Sequence, residues 1–149
     1  GPPISLARSV RQTPTMKLFY GMVVLHILME GIGGIVACAR PGVFEGVPLH
    51  SDVARNHPHN MRCVGILLLL VALVGAVLVA DPHASNAKQL LAFCSCFHLS
   101  AIWMLAAAPS GADLGGASIH GSVGLTFAYL AATHQPGSAA AAVAGSKDK

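Results

Sequence analysis

The stretch CVGILLLLVALVGAVLVA, residues 63–80, contains no charged side chain and decides the class of fold. A bilayer core about 30 Å thick is crossed by roughly 20 apolar residues in a helix. Arg62 precedes this run and Asp81 follows it, so charged residues mark both ends. The run therefore predicts a membrane-spanning helix.

The composition of the whole chain agrees with a membrane protein. Of its 149 residues, 54% are hydrophobic and 10% are charged, whereas soluble domains have about 25% charged residues. The mean hydropathy is +0.63. Nine basic and six acidic residues are scattered along the chain, without the basic stripe that nucleic-acid binding requires. We expect no nucleic-acid partner.

Three further apolar runs resemble the first. They cover residues 18–39, 90–108 and 116–133, and the last of them is the most polar. Short connections make consecutive helices antiparallel neighbours. The sequence therefore predicts an all-α fold, an integral membrane four-helix up-down bundle.

The four runs define a membrane domain over residues 17–133, between an N-terminal extramembrane segment, 1–16, and a flexible tail, 134–149. Segment 1–16 has two arginines, several Ser and Thr residues and no acidic residue. This composition is typical of the sequence left near an organellar transit peptide. Its first two residues, Gly-Pro, would equally suit the scar of an expression tag.

The distribution of basic residues predicts the orientation of the bundle. Four spans place both termini on one side, together with the connection 81–89. That side carries more Lys and Arg than the other, and such an excess marks the side from which a protein was inserted. We expect a mitochondrial inner membrane or a chloroplast thylakoid membrane, with the termini on the matrix or stromal side. The basic residues on the two sides are Arg8, Arg11, Lys17, Lys88, Lys147 and Lys149 against Arg40, Arg55 and Arg62.

Small residues in the spans predict where helices pack closely. In lipid, glycine and alanine let two helix backbones approach each other. We expect these contacts within the chain or against a partner subunit. The predicted helix-packing residues are Gly31, Gly33, Gly34, Ala117, Gly121, Gly124 and Ala128.

Three ionisable residues within the spans are the candidate functional site. A carboxylate in mid-membrane, Glu30, must be protonated or paired because an isolated charge there is costly. His26 lies one helical turn before it and shares its face. His98 lies eight residues into the third run, as His26 does in the first, so both are about 12 Å deep. The three are candidates for a polar packing contact, a proton site or axial ligation of haem or chlorophyll.

Metal binding is not expected in the membrane domain. Cys94 and His98 share a helical face, but two ligands are fewer than the four of a structural zinc site. The loop between the first two spans holds His50, Asp52, His57 and His59. These residues are consistent with a surface metal site and equally with a polar turn, and their role stays open.

Several short motifs resemble a known family. They are GMVVLHILMEG at residues 21–31, Arg40-Pro41-Gly42, Arg62 with Gly65, and a histidine in each of the last two spans. Over residues 17–133 the chain thus resembles the small four-helix membrane proteins called DoxX-like. The resemblance implies the bundle. It implies no catalytic residue, because the functions of that family are diverse.

Motifs of catalysis are missing from the sequence, so we expect no enzyme. There is no nucleophile elbow, Walker loop, dinucleotide fingerprint or H-E-x-x-H motif. The leading hypothesis is a non-catalytic accessory subunit of a large organellar energy-transducing complex, respiratory or photosynthetic. It would pack against other membrane subunits and structural lipid. The alternatives are a small haem- or chlorophyll-ligating protein that uses His26, His98 or Glu30, and a proton-coupled carrier with Glu30 as the coupling carboxylate.

Overall fold

Helices account for the regular structure of the residues that the structure describes. The computed structural model describes residues 13–46, 51–106 and 112–135, and the side chains of residues 51–53 are outside that description. The elements are α1 (Pro14–Ala39), a 3-10 helix (Pro41–Gly46), α2 (Ser51–Asn56), α3 (Pro58–Ala80), α4 (Ala87–Ala106) and α5 (Leu114–Thr133).

Three of these helices, α1, α3 and α4, are long and apolar enough to cross a membrane. At 1.5 Å per residue, the 26 residues of α1 and the 23 of α3 rise about 39 and about 35 Å. The prediction of an all-helical membrane protein is confirmed to this extent. Helix α5 has 20 residues, as α4 does, but it is not among the three. That α5 also crosses the membrane stays a prediction.

The long helices begin before the apolar runs that predicted them. Pro14 starts α1 ahead of residue 18, because a proline in the first turn has no N–H left unpaired and Thr13 Oγ1 accepts a hydrogen bond from the Met16 N–H at 3.3 Å. Helix α3 likewise starts at Pro58. Asp113 caps α5 by accepting from the Gly116 N–H at 2.8 Å. The apolar run is thus the membrane part of a longer helix.

The four long helices pack as two antiparallel pairs, α1 with α3 and α4 with α5, and the pairs touch each other less extensively. Glycines set the spacing within each pair. A Cβ atom on Gly65 would lie 2.8 Å from the Gly34 carbonyl oxygen and 2.9 Å from the Cys38 nitrogen. A Cβ on Gly124 would lie 2.9 Å from the Leu99 side chain. Only glycine allows these crossings without a shift of the backbone or of a neighbour.

The predicted packing residues contact other parts of the same chain to different degrees. Gly34 and Gly124 are at the tight crossings. At Gly31, Gly33 and Gly121 an added Cβ would be 3.8, 3.6 and 3.3 Å from Ala72, Leu68 and Ile102. Ala117 and Ala128 are half-buried. Gly121 and Gly124 therefore serve the pairing of α5 with α4.

Apolar side chains lie both inside and outside the bundle. Phe19, Leu78, Leu91 and Phe127, one from each long helix, are fully buried in a common core. Other large apolar side chains are more than half exposed, as expected where helices face lipid or other membrane proteins. They include Leu28, Ile32, Ile35, Leu70, Leu73, Trp103 and Leu125.

The crossing at Gly65 provides a test of the fold. Gly65→Ala places a methyl group against backbone atoms, so we expect destabilisation by about 1–3 kcal/mol, typical of overpacking. Gly21→Ala in α1 is the matched control, because nothing lies within 4 Å of its added Cβ. The free energy of unfolding in mixed micelles measures both. Equal stability of the two variants would contradict the close approach of α1 and α3.

Candidate functional site

Four ionisable side chains meet between the two helix pairs, and we name them the His-Glu cluster: His26, Glu30, His98 and His120. His26 and Glu30 come from α1, His98 from α4 and His120 from α5. His26 and His98 are fully buried, and Glu30 is 4% exposed. The structure thus brings together the three residues that the sequence singled out and adds a fourth.

The three histidines form one continuous chain of hydrogen bonds. His26 Nδ1 lies 2.9 Å from His98 Nε2, and His98 Nδ1 lies 2.9 Å from His120 Nδ1. At its inner end, His26 Nε2 is 3.1 Å from the Val71 carbonyl oxygen. These hydrogen bonds link α3, α1, α4 and α5 across the middle of the bundle.

The backbone carbonyl at one end fixes every proton in this chain when the rings are neutral. A carbonyl oxygen only accepts, so His26 Nε2 carries the hydrogen and donates it to Val71. His26 Nδ1 then accepts from His98 Nε2–H, and His98 Nδ1 in turn accepts from His120 Nδ1–H. The chain therefore has a direction, with His120 as its first donor and Val71 as its last acceptor.

Glu30 is the least satisfied member of the cluster. His98 Nδ1 lies 4.0 Å from Oε1 of its carboxylate. This distance exceeds that of a hydrogen bond, and no described residue donates one to Glu30. A buried carboxyl without a hydrogen bond is costly. Its position beside an imidazole is therefore the most informative feature of the cluster.

Packed side chains enclose the cluster. The Phe127 ring lies against His26 and His98, with ring centroids 5.2 and 5.9 Å away. Cys94 Sγ is 3.8 Å from His26 Nε2. Ser95 Oγ donates to the Gly124 carbonyl oxygen at 2.9 Å, which adds a second link between α4 and α5.

This packing does not fit a haem held between His26 and His98. Axial imidazoles lie on opposite faces of the ring, with nitrogens about 4 Å apart for metal–nitrogen bonds of about 2 Å. The facing nitrogens here are 2.9 Å apart, and Phe127 packs against both rings. A macrocycle has no space between them.

Sequence reasoning missed His120 because depth was measured from one side of the membrane only. Counted from the connection between α4 and α5, His98 lies eight residues before Ala106 and His120 six residues after Leu114. These offsets correspond to depths of about 12 and about 9 Å. Adjacent antiparallel helices with histidines at such similar depths were a signal for the contact.

The other candidate set is the histidine-rich loop, and the structure adds little to it. His50 lies outside the described residues, as does the Asp52 side chain. His57 and His59 are exposed, at and just after the start of α3. A surface metal site and a polar turn therefore both stay predictions for this loop.

Comparisons of the chain with known protein families, with curated proteins and with solved structures found no match. The similarity to DoxX-like proteins therefore stays a prediction from short motifs.

Energetic coupling between His98 and His120 tests the hydrogen-bonded chain. His98→Leu and His120→Leu each break it, so the double variant should lose less stability than the sum of the two. We expect a coupling of about 0.6 kcal/mol and no more than about 1.7 kcal/mol, the average and the maximum measured for hydrogen bonds between membrane helices. Unfolding in mixed micelles gives the four free energies.

A parallel cycle of His98→Leu with Thr133→Ala is the control, because Thr133 is an exposed residue that bonds only within the last turn of α5. This pair should be additive. Additivity in the histidine pair as well would show that the rings do not interact.

Proposed function

We propose that this chain is a non-catalytic accessory subunit of a large membrane complex, of the organellar energy-transducing kind, respiratory or photosynthetic. The supporting observation is the distribution of its side chains. Large apolar residues face outward from all four long helices, while the His-Glu cluster faces inward. Such a surface suits contact with lipid and with other membrane subunits.

The cluster has a structural role under this proposal. The two helix pairs share few close backbone contacts, and His26, His98 and His120 join them through side chains. Lipid provides no water for polar groups, so hydrogen bonds between helices satisfy them instead. The subunit would thus keep one shape while its outer faces contact partners on the matrix or stromal side and within the membrane.

Native size separation tests the accessory role. Source membranes are solubilised mildly and the fraction that contains this chain is located with an antibody. We expect co-migration with a particle many times larger than 15.2 kDa, and the absorption spectrum of that particle would identify it as respiratory or photosynthetic. The control is the same membrane in a harsh detergent, in which the chain should run alone. Migration as a small species in both detergents would contradict the proposal.

A second candidate function is proton-coupled transport, which the position of Glu30 favours. This carboxyl is buried, accepts no hydrogen bond from the described residues and lies 4.0 Å from His98 Nδ1. A coupling carboxyl of a proton carrier would bind a proton from one side of the membrane and release it to the other. Ionisable residues inside a membrane often serve proton pathways.

Proton flux into liposomes tests this second candidate. An imposed pH gradient across vesicles that contain the full chain should drive uptake, reported by a pH-sensitive dye inside. Glu30→Gln should lower the flux at least tenfold because an amide does not titrate. Glu45→Gln is the matched control, since Glu45 is exposed and contacts Arg55 at the surface. Equal flux through all three proteins, or none through the wild type, would exclude the carrier.

A further inference from the structure

Two ring nitrogens and a carboxylate converge inside the bundle. One ligand atom each from His26, Glu30 and His98 can be chosen so that all lie within 4.8 Å of one another, and all three residues are buried. The nitrogens that face each other, His26 Nδ1 and His98 Nε2, are 2.9 Å apart. Two ligand atoms that form a right angle at a metal ion, each on a bond of about 2.0–2.1 Å, are also separated by about 2.9 Å.

The opposite nitrogen of each ring already has a hydrogen-bond partner, although the Glu30 carboxylate lies 4.0 Å from that outer nitrogen of His98, Nδ1, and must turn toward Nε2 to complete the site. His26 Nε2 bonds to the Val71 carbonyl oxygen and His98 Nδ1 to His120 Nδ1. Metal-binding histidines almost always use their second nitrogen in this way, because the outer hydrogen bond fixes the tautomer and orients the ring. His26 is already in the tautomer that a metal needs, with the Nδ1 lone pair directed inward.

Glu30 supplies the charge that a cation would match. Its carboxylate is buried and accepts no hydrogen bond from the described residues. An unpaired anion in the membrane interior is costly, and a divalent ion bound beside it offsets that cost. The lack of a hydrogen bond at Glu30 is a second observation beside the contact of the two histidines, and it indicates the same kind of ligand.

We propose that His26, Glu30 and His98 bind a divalent first-row transition ion, with His120 and Val71 as their outer partners. Two imidazoles and one carboxylate form the donor set that zinc and non-haem iron(II) accept, and they leave coordination positions for a further ligand. This site goes beyond the accessory role and does not depend on it.

Binding requires two proton shifts, one on His98 and one on His120. The hydrogen on His98 Nε2 moves to Nδ1 and is donated to His120 Nδ1, whose own hydrogen moves to Nε2. His26 keeps its hydrogen on Nε2, and Glu30 binds as the carboxylate. Both imidazoles remain neutral, as metal coordination requires.

The sequence predicted no metal in the membrane domain, and the spacing of the three ligands explains why. Zinc motifs place ligands at fixed spacings within one stretch of sequence. Here the ligands are separated by 68 residues between Glu30 and His98, and only the packing of α1 against α4 brings them together.

Cobalt binding tests the site, because Co²⁺ gives visible absorption bands that depend on its ligands. The full chain is purified in detergent, stripped with a chelator and titrated with Co²⁺. We expect saturation at one equivalent and displacement by Zn²⁺. Glu30→Gln, which preserves the side-chain shape, should weaken affinity at least tenfold. His120→Phe should weaken it about 10- to 100-fold, as loss of an outer partner does.

Two controls separate this site from other histidines and acids. Glu45→Gln alters an exposed carboxylate, and the double variant His57→Gln/His59→Gln alters the exposed histidines of the loop. Both should bind Co²⁺ as the wild type does, and circular dichroism checks that every variant is folded. Absence of saturable binding by the wild type, a loss smaller than tenfold in Glu30→Gln, or a loss confined to the loop variant would each overturn the proposal.

Discussion

The structure depends on the absence of water around its polar side chains. Within a membrane each polar group needs a partner from the protein itself, and α1 presents His26 and Glu30 on one face, one helical turn apart. The hydrogen-bond partners of His26 come from other helices, namely the Val71 carbonyl of α3 and His98 of α4. His120 then completes the chain from α5. The position of each long helix in the bundle is thus tied to one buried cluster.

Much of this arrangement could be predicted from sequence because it follows from regular geometry. Residues 63–80 specify a span by length and composition, and equal offsets along two helices placed His26 beside His98. The crossing of Gly34 and Gly65 could not be predicted, because composition does not say which faces of α1 and α3 meet. The helix starts at Pro14 and Pro58 depend on local caps outside the apolar runs.

The packing of the bundle and the chemistry of the cluster are linked through α1. Gly75 of α3 lies so close to His26 that an added Cβ would be 3.0 Å from the imidazole ring. The glycine allows the close approach of α3 and leaves room for the ring, which bonds to the Val71 carbonyl. Structural support, proton binding and metal binding all require this ring to stay fixed, so the same small residue serves each of the roles considered for the cluster.

The direction of the histidine chain limits what it can conduct. A Grotthuss relay needs an acceptor that can release the proton at its far end, and the far end here is a peptide carbonyl. A proton that enters at His120 can hop to His98 and His26 but cannot continue past Val71. The row of histidines therefore does not carry a proton across the bilayer, unless the proton leaves through Glu30. By itself the row of three imidazoles provides no continuous path for a proton past Val71.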